Sequence, residues 1–280
     1  MAKSSTAHDR RAAMRAAQEA EARRARTKRL VTVIAGGVAL VLIVVAVVVL
    51  VNRHNERVRQ AEITGTPGTA SGTTPPSATA DGSAILGNPS VKDAPLTLNL
   101  YLDYQCPICR DLEMAIGTSL ETLAGRGDIA MRYNILTFQD DNWGNTASTR
   151  AAIASTCADT VGSFQAYHDT IFANQPAKEG TGYTDDQLRN TFATKAGLTG
   201  DALTRFQACY DARQTSAFVT QMDKLNWAEL GAKFVDAQGR IGTPTLAANG
   251  TQVDLRKVTA TMATDPDALL ALLKQTAGLA

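Results

Sequence analysis

The stretch PLTLNLYLDYQCPICRD, residues 95–111, decides how the rest of the chain is read. Leu96 to Leu102 is an apolar run with the character of a buried strand, and Cys106-Pro107-Ile108-Cys109 follows where a helix begins. Leu112, Ile116, Leu120 and Leu123 recur at helical spacing, which predicts a helix from Pro107 to about Ala124. Two thiols at this spacing in the first turn of a helix can open and close a disulfide. Gly125-Arg126-Gly127-Asp128 punctuates the helix, and Ile129 to Leu136 reads as the next strand. A helix between two strands makes them parallel in a right-handed βαβ unit.

Further on, an alanine-rich helical region occupies about residues 143–231, broken near Asn174-Gln175-Pro176 and Gly180-Thr181-Gly182. Thr184-Asp185-Asp186-Gln187 and Thr199-Gly200-Asp201 are helix starts inside it. Strand character returns after Gly242-Thr243-Pro244, as Thr245 to Ala248 and Thr251 to Asp254. Asn249-Gly250 between them is a hairpin signal, so the pair should be antiparallel. Asp265 to about Gln275 closes the chain as an amphipathic helix with Leu269, Leu270, Leu272 and Leu273 on its apolar side. The predicted class is α/β: βαβ, a helical block, then ββα, over residues 84–280, with no internal repeat.

Working back toward the N-terminus, the net charge of +1 hides a strong asymmetry. Residues 1–29 form a basic arm with nine Lys or Arg side chains against Asp9, Glu19 and Glu21. Residues 30–51 are 22 uncharged, mostly apolar positions. As a helix they span about 33 Å, enough for a hydrocarbon core of about 30 Å. The run is longer than the apolar part of a cleavable leader and is followed by Asn52-Arg53-His54-Asn55-Glu56, so an uncleaved single-pass signal anchor in the lipid bilayer is expected. The excess of basic residues before it sets the N-terminus in the cytoplasm and everything after Val51 outside. An arginine-rich arm can also bind nucleic acid or acidic lipid. With the anchor adjacent and no aromatic residues interleaved, topology is the better explanation, and no nucleic-acid partner is expected. Residues 52–83, dominated from 62 on by Gly, Thr, Ser, Pro and Ala, read as a flexible linker with a reach of about 30–35 Å.

The order of elements, Cys106-Pro107-Ile108-Cys109 and Gly242-Thr243-Pro244-Thr245 together resemble a thioredoxin fold carrying a helical insertion. Specifically, the chain resembles the DsbA-like extracytoplasmic thiol:disulfide oxidoreductases, and among them membrane-anchored actinobacterial members. Ile85-Leu86-Gly87, Asp103-Tyr104-Gln105 and the run from Phe164 to Phe172 support it. The resemblance covers about residues 84–275 and implies a cis peptide bond at Thr243-Pro244 facing the cysteines, with the backbone of Thr243 open to an extended substrate. By itself, Gly-Thr-Pro reads first as an ordinary turn before a hairpin; the cysteines upstream turn the reading to cis-proline. The resemblance also implies disulfide exchange with unfolded or folding secreted proteins, and a membrane partner of DsbB or VKOR type that reoxidises the dithiol. No organic cofactor and no metal are implied.

A cysteine at a helix N-terminus faces unpaired N–H groups and the positive end of the helix dipole, which favour its thiolate. Cys106 is therefore the expected nucleophile and Cys109, one turn in, the resolving thiol. A C-x-x-C can also be half a zinc site, but Cys157 and Cys209 are single and the histidines few (His8, His54, His168). Outside the cytoplasm an even cysteine count favours disulfides, and Cys157 is expected to pair with Cys209 as a permanent staple; the alternative is two buried free thiols. His168, in a helix with Phe164, Tyr167, Ile171 and Phe172, is expected to be structural, Asp103 to be a polar strand end, and Asn249-Gly250-Thr251 to be a turn rather than a glycosylation acceptor. Two departures from the family pattern bear on direction: Leu100 occupies the position six before Cys106 where many thioredoxin-fold enzymes bury an acid, and Ile108 stands where the oxidising archetype has His. An oxidase is the leading expectation. A reductase or isomerase on the same scaffold, or a non-catalytic envelope binding or chaperone module, are the alternatives.

Overall fold

The computed structural model describes residues 5–64, 72–91, 93–236 and 238–279, with only part of the side chains before Val41. The chain divides into Met1–Val58 and Arg59–Ala280. Helix α1 runs Ser5–Thr64, and every side chain from Val41 to Val51 is exposed. Among the described residues no helix is long and apolar enough to cross a membrane. Most side chains of 30–40 lie outside the described residues, and the anchor expected over 30–51 falls partly there.

Part of the stretch expected as a linker, 52–83, is held by hydrogen bonds. Residues 52–64 belong to α1, 65–71 lie outside the described residues, and within 72–83 Pro75 and Ser77 are buried. The Thr73 N–H donates to the Gln214 carbonyl at 2.9 Å, and that of Ser77 to the Asp159 carboxylate at 2.8 Å. Ala78 bridges Ile85. Backbone hydrogen bonds, which side-chain composition does not register, hold this segment down.

In the second unit, β1 (Ile85–Leu86) is followed by β2 (Leu96–Asp103), α2 (Pro107–Arg126) and β3 (Ile129–Leu136). The helical block comprises α3 (Gln139–Trp143), α4 (Ala147–Asp159), α5 (Phe164–Ala173), a π-turn at Gln187–Thr191, α6 (Phe192–Lys195), α7 (Gly200–Asp211) and α8 (Ser216–Lys233). The chain ends with β4 (Thr245–Ala248), β5 (Thr251–Gln252) and α9 (Pro266–Thr276). The sheet order among the described residues is β1-β3-β2-β4-β5, with β2 and β3 parallel and the other pairs antiparallel.

β2 is central and buried on both faces at its C-terminal end, which is why its sequence reads as a continuous apolar run. Leu100 aligns with Tyr133 on β3 and Leu246 on β4. Helix α2 turns Ile116, Leu120 and Leu123 inward and ends at Gly127, whose φ of +82° suits the left-handed cap. At the hairpin both Asn249 and Gly250 have positive φ, +47° and +80°, as a tight two-residue turn requires. β5 is shorter than the expected Thr251 to Asp254. The Asp265 side chain caps α9, accepting from the N–H groups of Asp267 and Ala268. Thr184 and Gln187 form a reciprocal capping box, but they open the π-turn that precedes α6 rather than a regular α-helix. The helical block is slightly wider than predicted, running from Gln139 to Lys233, with α8 packed on β3 and α4 on α5.

Candidate functional site

Cys106 is the N-cap of α2, with extended φ and ψ of −76° and 117°, and Pro107 is the first helical residue. Proline there costs no hydrogen bond, because the first N–H groups of a helix have no partner in it. The turn from β2 is closed by the Cys106 N–H donating to the Asp103 carbonyl at 3.0 Å, and α2 opens with the Arg110 N–H donating to the Cys106 carbonyl at 3.2 Å. Both Cys106 and Cys109 are free thiols, 4% and 1% exposed. Ile108, between them, is 62% exposed, so the motif reaches the surface through an apolar side chain.

The Thr243–Pro244 peptide is cis and brings Thr243 against the cysteines, although 137 residues separate Thr243 from Cys106. The Cys106 thiol donates to the Thr243 carbonyl at 3.4 Å. The Thr243 hydroxyl is buried and lacks a hydrogen-bond partner. It is thus the donor left to turn onto the sulfur when the thiolate forms.

These surroundings separate the two thiols. The Cys109 thiol, donating to the Cys106 sulfur, is the main cause that lowers Cys106 to about 6. Burial opposes this, and the Thr243 hydroxyl and the N–H groups of Cys109 and Ile108 reinforce it. Cys109 is held well above the ordinary thiol range, chiefly by burial and then by its neighbour Cys106. One sulfur is thus a ready nucleophile and leaving group near neutral pH, and the other stays protonated until needed.

Behind the turn lies a polar cluster that the sequence reading did not assemble. Asp103 is the polar end of β2, as expected, and is completely buried. Its carboxylate accepts from the N–H groups of Gln105 (2.8 Å) and Gln139 (3.0 Å) and from the Ser148 hydroxyl (2.5 Å). Burial raises it to about 7 despite those donors. The Gln105 amide reaches Asp140, Asn145 and Ser148, each at 2.9 Å. Tyr183 and Gln175 both donate to the Tyr104 carbonyl. In the sequence Asp103-Tyr104-Gln105 stands out through the family resemblance and Gln175 as the residue before Pro176 at a helix break; Asp140, Asn145, Ser148 and Tyr183 carry no signal.

His168 is fully buried among Tyr104, Tyr133, Phe164 and Phe172. Its Nδ1 lies 3.0 Å from the Tyr104 hydroxyl and its Nε2 3.2 Å from the Glu113 carboxylate. The ring is a satisfied core histidine, as expected. Cys157 and Cys209 form a disulfide with Cα atoms 5.7 Å apart, joining α4 to α7.

A thioredoxin family model matches residues 79–264. No curated protein sequence matches the chain. Among solved structures, the reduced disulfide bond oxidoreductase DsbG of Mycobacterium tuberculosis is similar at 23% identity, covering 71% of this chain and 89% of that one, with a TM-score of 0.51. Reduced DsbA of the same organism is 23% identical over 70% of this chain and 93% of its own, with a TM-score of 0.50. MdbA, a thiol-disulfide oxidoreductase of Corynebacterium diphtheriae, is 18% identical over 72% of this chain and 99% of its own, with a TM-score of 0.52. At these identities the likeness is one of fold. Together with the dithiol at the start of α2 and the cis-proline beside it, the match places the chain in the thioredoxin family, as a thiol:disulfide oxidoreductase.

Proposed function

We propose that the chain is an oxidase that introduces disulfides into secreted or envelope proteins outside the cytoplasm. The observation that carries this reading is the place of Cys106 as the N-cap of α2, where the free N–H groups of the first turn favour its thiolate and the thiol is lowered to about 6. A stabilised thiolate favours the reduced pair, and each unit by which its pKa falls makes the disulfide more oxidising by about 30 mV.

In the forward direction, a substrate thiolate attacks the Cys106 sulfur of the Cys106–Cys109 disulfide. The S–S bond breaks, Cys109 leaves with the electron pair and takes up a proton, and a mixed disulfide joins the substrate to Cys106. A second substrate thiolate then attacks the substrate sulfur and displaces the Cys106 thiolate. The substrate has lost two electrons and the pair has gained them. A membrane redox partner of DsbB or VKOR type returns the pair to the disulfide. The Thr243 carbonyl, 3.4 Å from the Cys106 sulfur, places backbone beside the nucleophile for an incoming polypeptide to align with.

Three features support the location. The nine basic residues of the arm precede the apolar run, the described side chains from Val41 to Val51 are exposed and apolar, and Cys157 and Cys209 are bonded, as suits an oxidising compartment. In this reading residues 30–51 are the bilayer anchor and the N-terminus is cytoplasmic.

The direction is tested by equilibrating the Cys106–Cys109 pair with glutathione. An oxidase gives a potential well above that of thioredoxin, about −270 mV; a value near that figure assigns the chain to reduction instead. The location is tested by adding protease to intact cells. A C-terminal tag on the chain should be cleaved, and a protected tag would overturn the topology.

A further inference from the structure

The loop between α5 and the π-turn, residues 174–183, contains both helix breaks of the insertion and lies on the turn that carries Cys106. Pro176 biases the residue before it out of helical geometry, so Gln175 leaves the axis of α5. Its Nε2 donates to two carbonyls, that of Tyr104 at 2.8 Å and that of Cys106 at 3.1 Å. Further along the loop, the Tyr183 hydroxyl donates to the same Tyr104 carbonyl at 2.6 Å, and Asn145 donates to the Gly180 carbonyl at 3.3 Å. At Gly182 the approach is closest: φ is +64°, and a Cβ there would lie 2.5 Å from the Ala147 Cβ and 3.3 Å from the Gln105 Oε1. The loop therefore has little room to shift relative to the turn.

The Cys106 carbonyl sits on the same residue as the reactive sulfur. It accepts a long first helical bond from Arg110, 3.2 Å, and the Gln175 amide supplies a second donor. Fixing this carbonyl fixes the rotation of Cys106 about its own backbone. That rotation determines whether the sulfur faces the N–H groups of Ile108 and Cys109. The amide also draws charge from a carbonyl oxygen next to the developing thiolate.

We propose that Gln175 is a positioning residue for the Cys106 thiolate, its amide clamped across the Tyr104 and Cys106 carbonyls to hold Cys106 in its N-cap conformation. The proposal rests on the dithiol being the exchange centre. Both amide hydrogens are used, so Met, of matching length without donors, and Glu, which offers only acceptors when ionised, each remove the clamp.

The test uses the full chain and its Gln175→Met, Gln175→Glu and Tyr183→Phe variants. The Cys106 thiolate is titrated by its ultraviolet absorbance, and each pair is equilibrated with glutathione. Gln175→Met should raise the Cys106 pKa and shift the equilibrium about three- to tenfold toward the disulfide, a change of about half to one pKa unit. Gln175→Glu should shift it further, because it adds charge beside the thiolate. Tyr183→Phe leaves the Cys106 carbonyl bonds in place and should stay within about twofold of the parent. A Gln175→Met chain within twofold of the parent would overturn the proposal. So would a Tyr183→Phe shift as large as that of Gln175→Met, since loosening of the whole loop would then be the cause. The thiolate titration needs no protein substrate, so it still reads the role of Gln175 if oxidation of every protein substrate fails and the oxidase reading falls.

Discussion

The two cysteine pairs of this chain are equally buried and chemically opposite. Cys106 and Cys109 open a helix, whereas Cys157 and Cys209 each lie within the last three residues of one, α4 and α7. At a helix N-terminus the free N–H groups favour a thiolate; at a C-terminus the free carbonyls oppose one. The first pair therefore has a stabilised nucleophile, while the second gains little from opening and stays closed as a staple. Burial alone, with all four cysteines 0% to 4% exposed, does not distinguish them. Position in the helix and the contact with Thr243 do.

The strongest test of this contrast is Cys106→Ser, which should reduce oxidation of a reduced, unfolded protein by at least about a thousandfold while leaving thermal unfolding near the parent. Substantial residual oxidation would mean that another sulfur does the chemistry. Replacing Cys157 and Cys209 together by Ala should do the reverse. The chain-entropy model for a separation of 52 residues gives a loss of about 4 kcal/mol, read from denaturant midpoints, with exchange at Cys106 retained.

A third test concerns what lies beneath the reactive pair. Asp103 titrates near 7 in the folded chain against about 3.9 when unfolded. The folded state binds this proton more tightly. The group therefore adds stability in acid, and the contribution is lost as pH rises from about 4 to 7, by at most a few kcal/mol. Asp103→Asn should flatten that slope in unfolding experiments across the window; an unchanged slope would assign it to other groups.

The smallest effect is kinetic. Alkylation of the reduced chain by iodoacetamide should rise about tenfold per pH unit and level off near pH 6, following the Cys106 thiolate. Without reductant or denaturant, Cys157 and Cys209 should remain unlabelled. A midpoint near 8 to 9, the range of an ordinary thiol, would erase the distinction between the pairs.

Much of this was legible in the sequence because the signals are local. The strand from Leu96, the helix begun by Pro107, the strand Ile129–Leu136 and the Asn249-Gly250 turn are each set by neighbouring residues, and the structure has them in place. Composition misled where backbone hydrogen bonding decides the outcome, as at Ser77, whose N–H is held by Asp159. At Asp103 the strand end was legible and the burial was not, for a related reason. A carboxylate at the end of a strand is solvated by default, and only the arrival of Ser148 and Gln139 from later segments turns it into a buried acid.

The sequence by itself determined the βαβ and ββα halves, the helical block between them and the two thiols at a helix start, because hydrophobic period, turn chemistry and helix-start signals act over a few residues. The tertiary structure supplied the contacts themselves: Thr243 touching Cys106 and Cys157 meeting Cys209, which the family resemblance and the cysteine count lead one to expect, and Gln175 and Tyr183 gripping the turn before the nucleophile, which only the tertiary structure decided. Those contacts join residues between 52 and 137 positions apart, and no local preference encodes them. The contacts at Cys106 exist because the insertion and the segment before β4 both reach the turn after β2, whereas the disulfide ties two helices within the insertion.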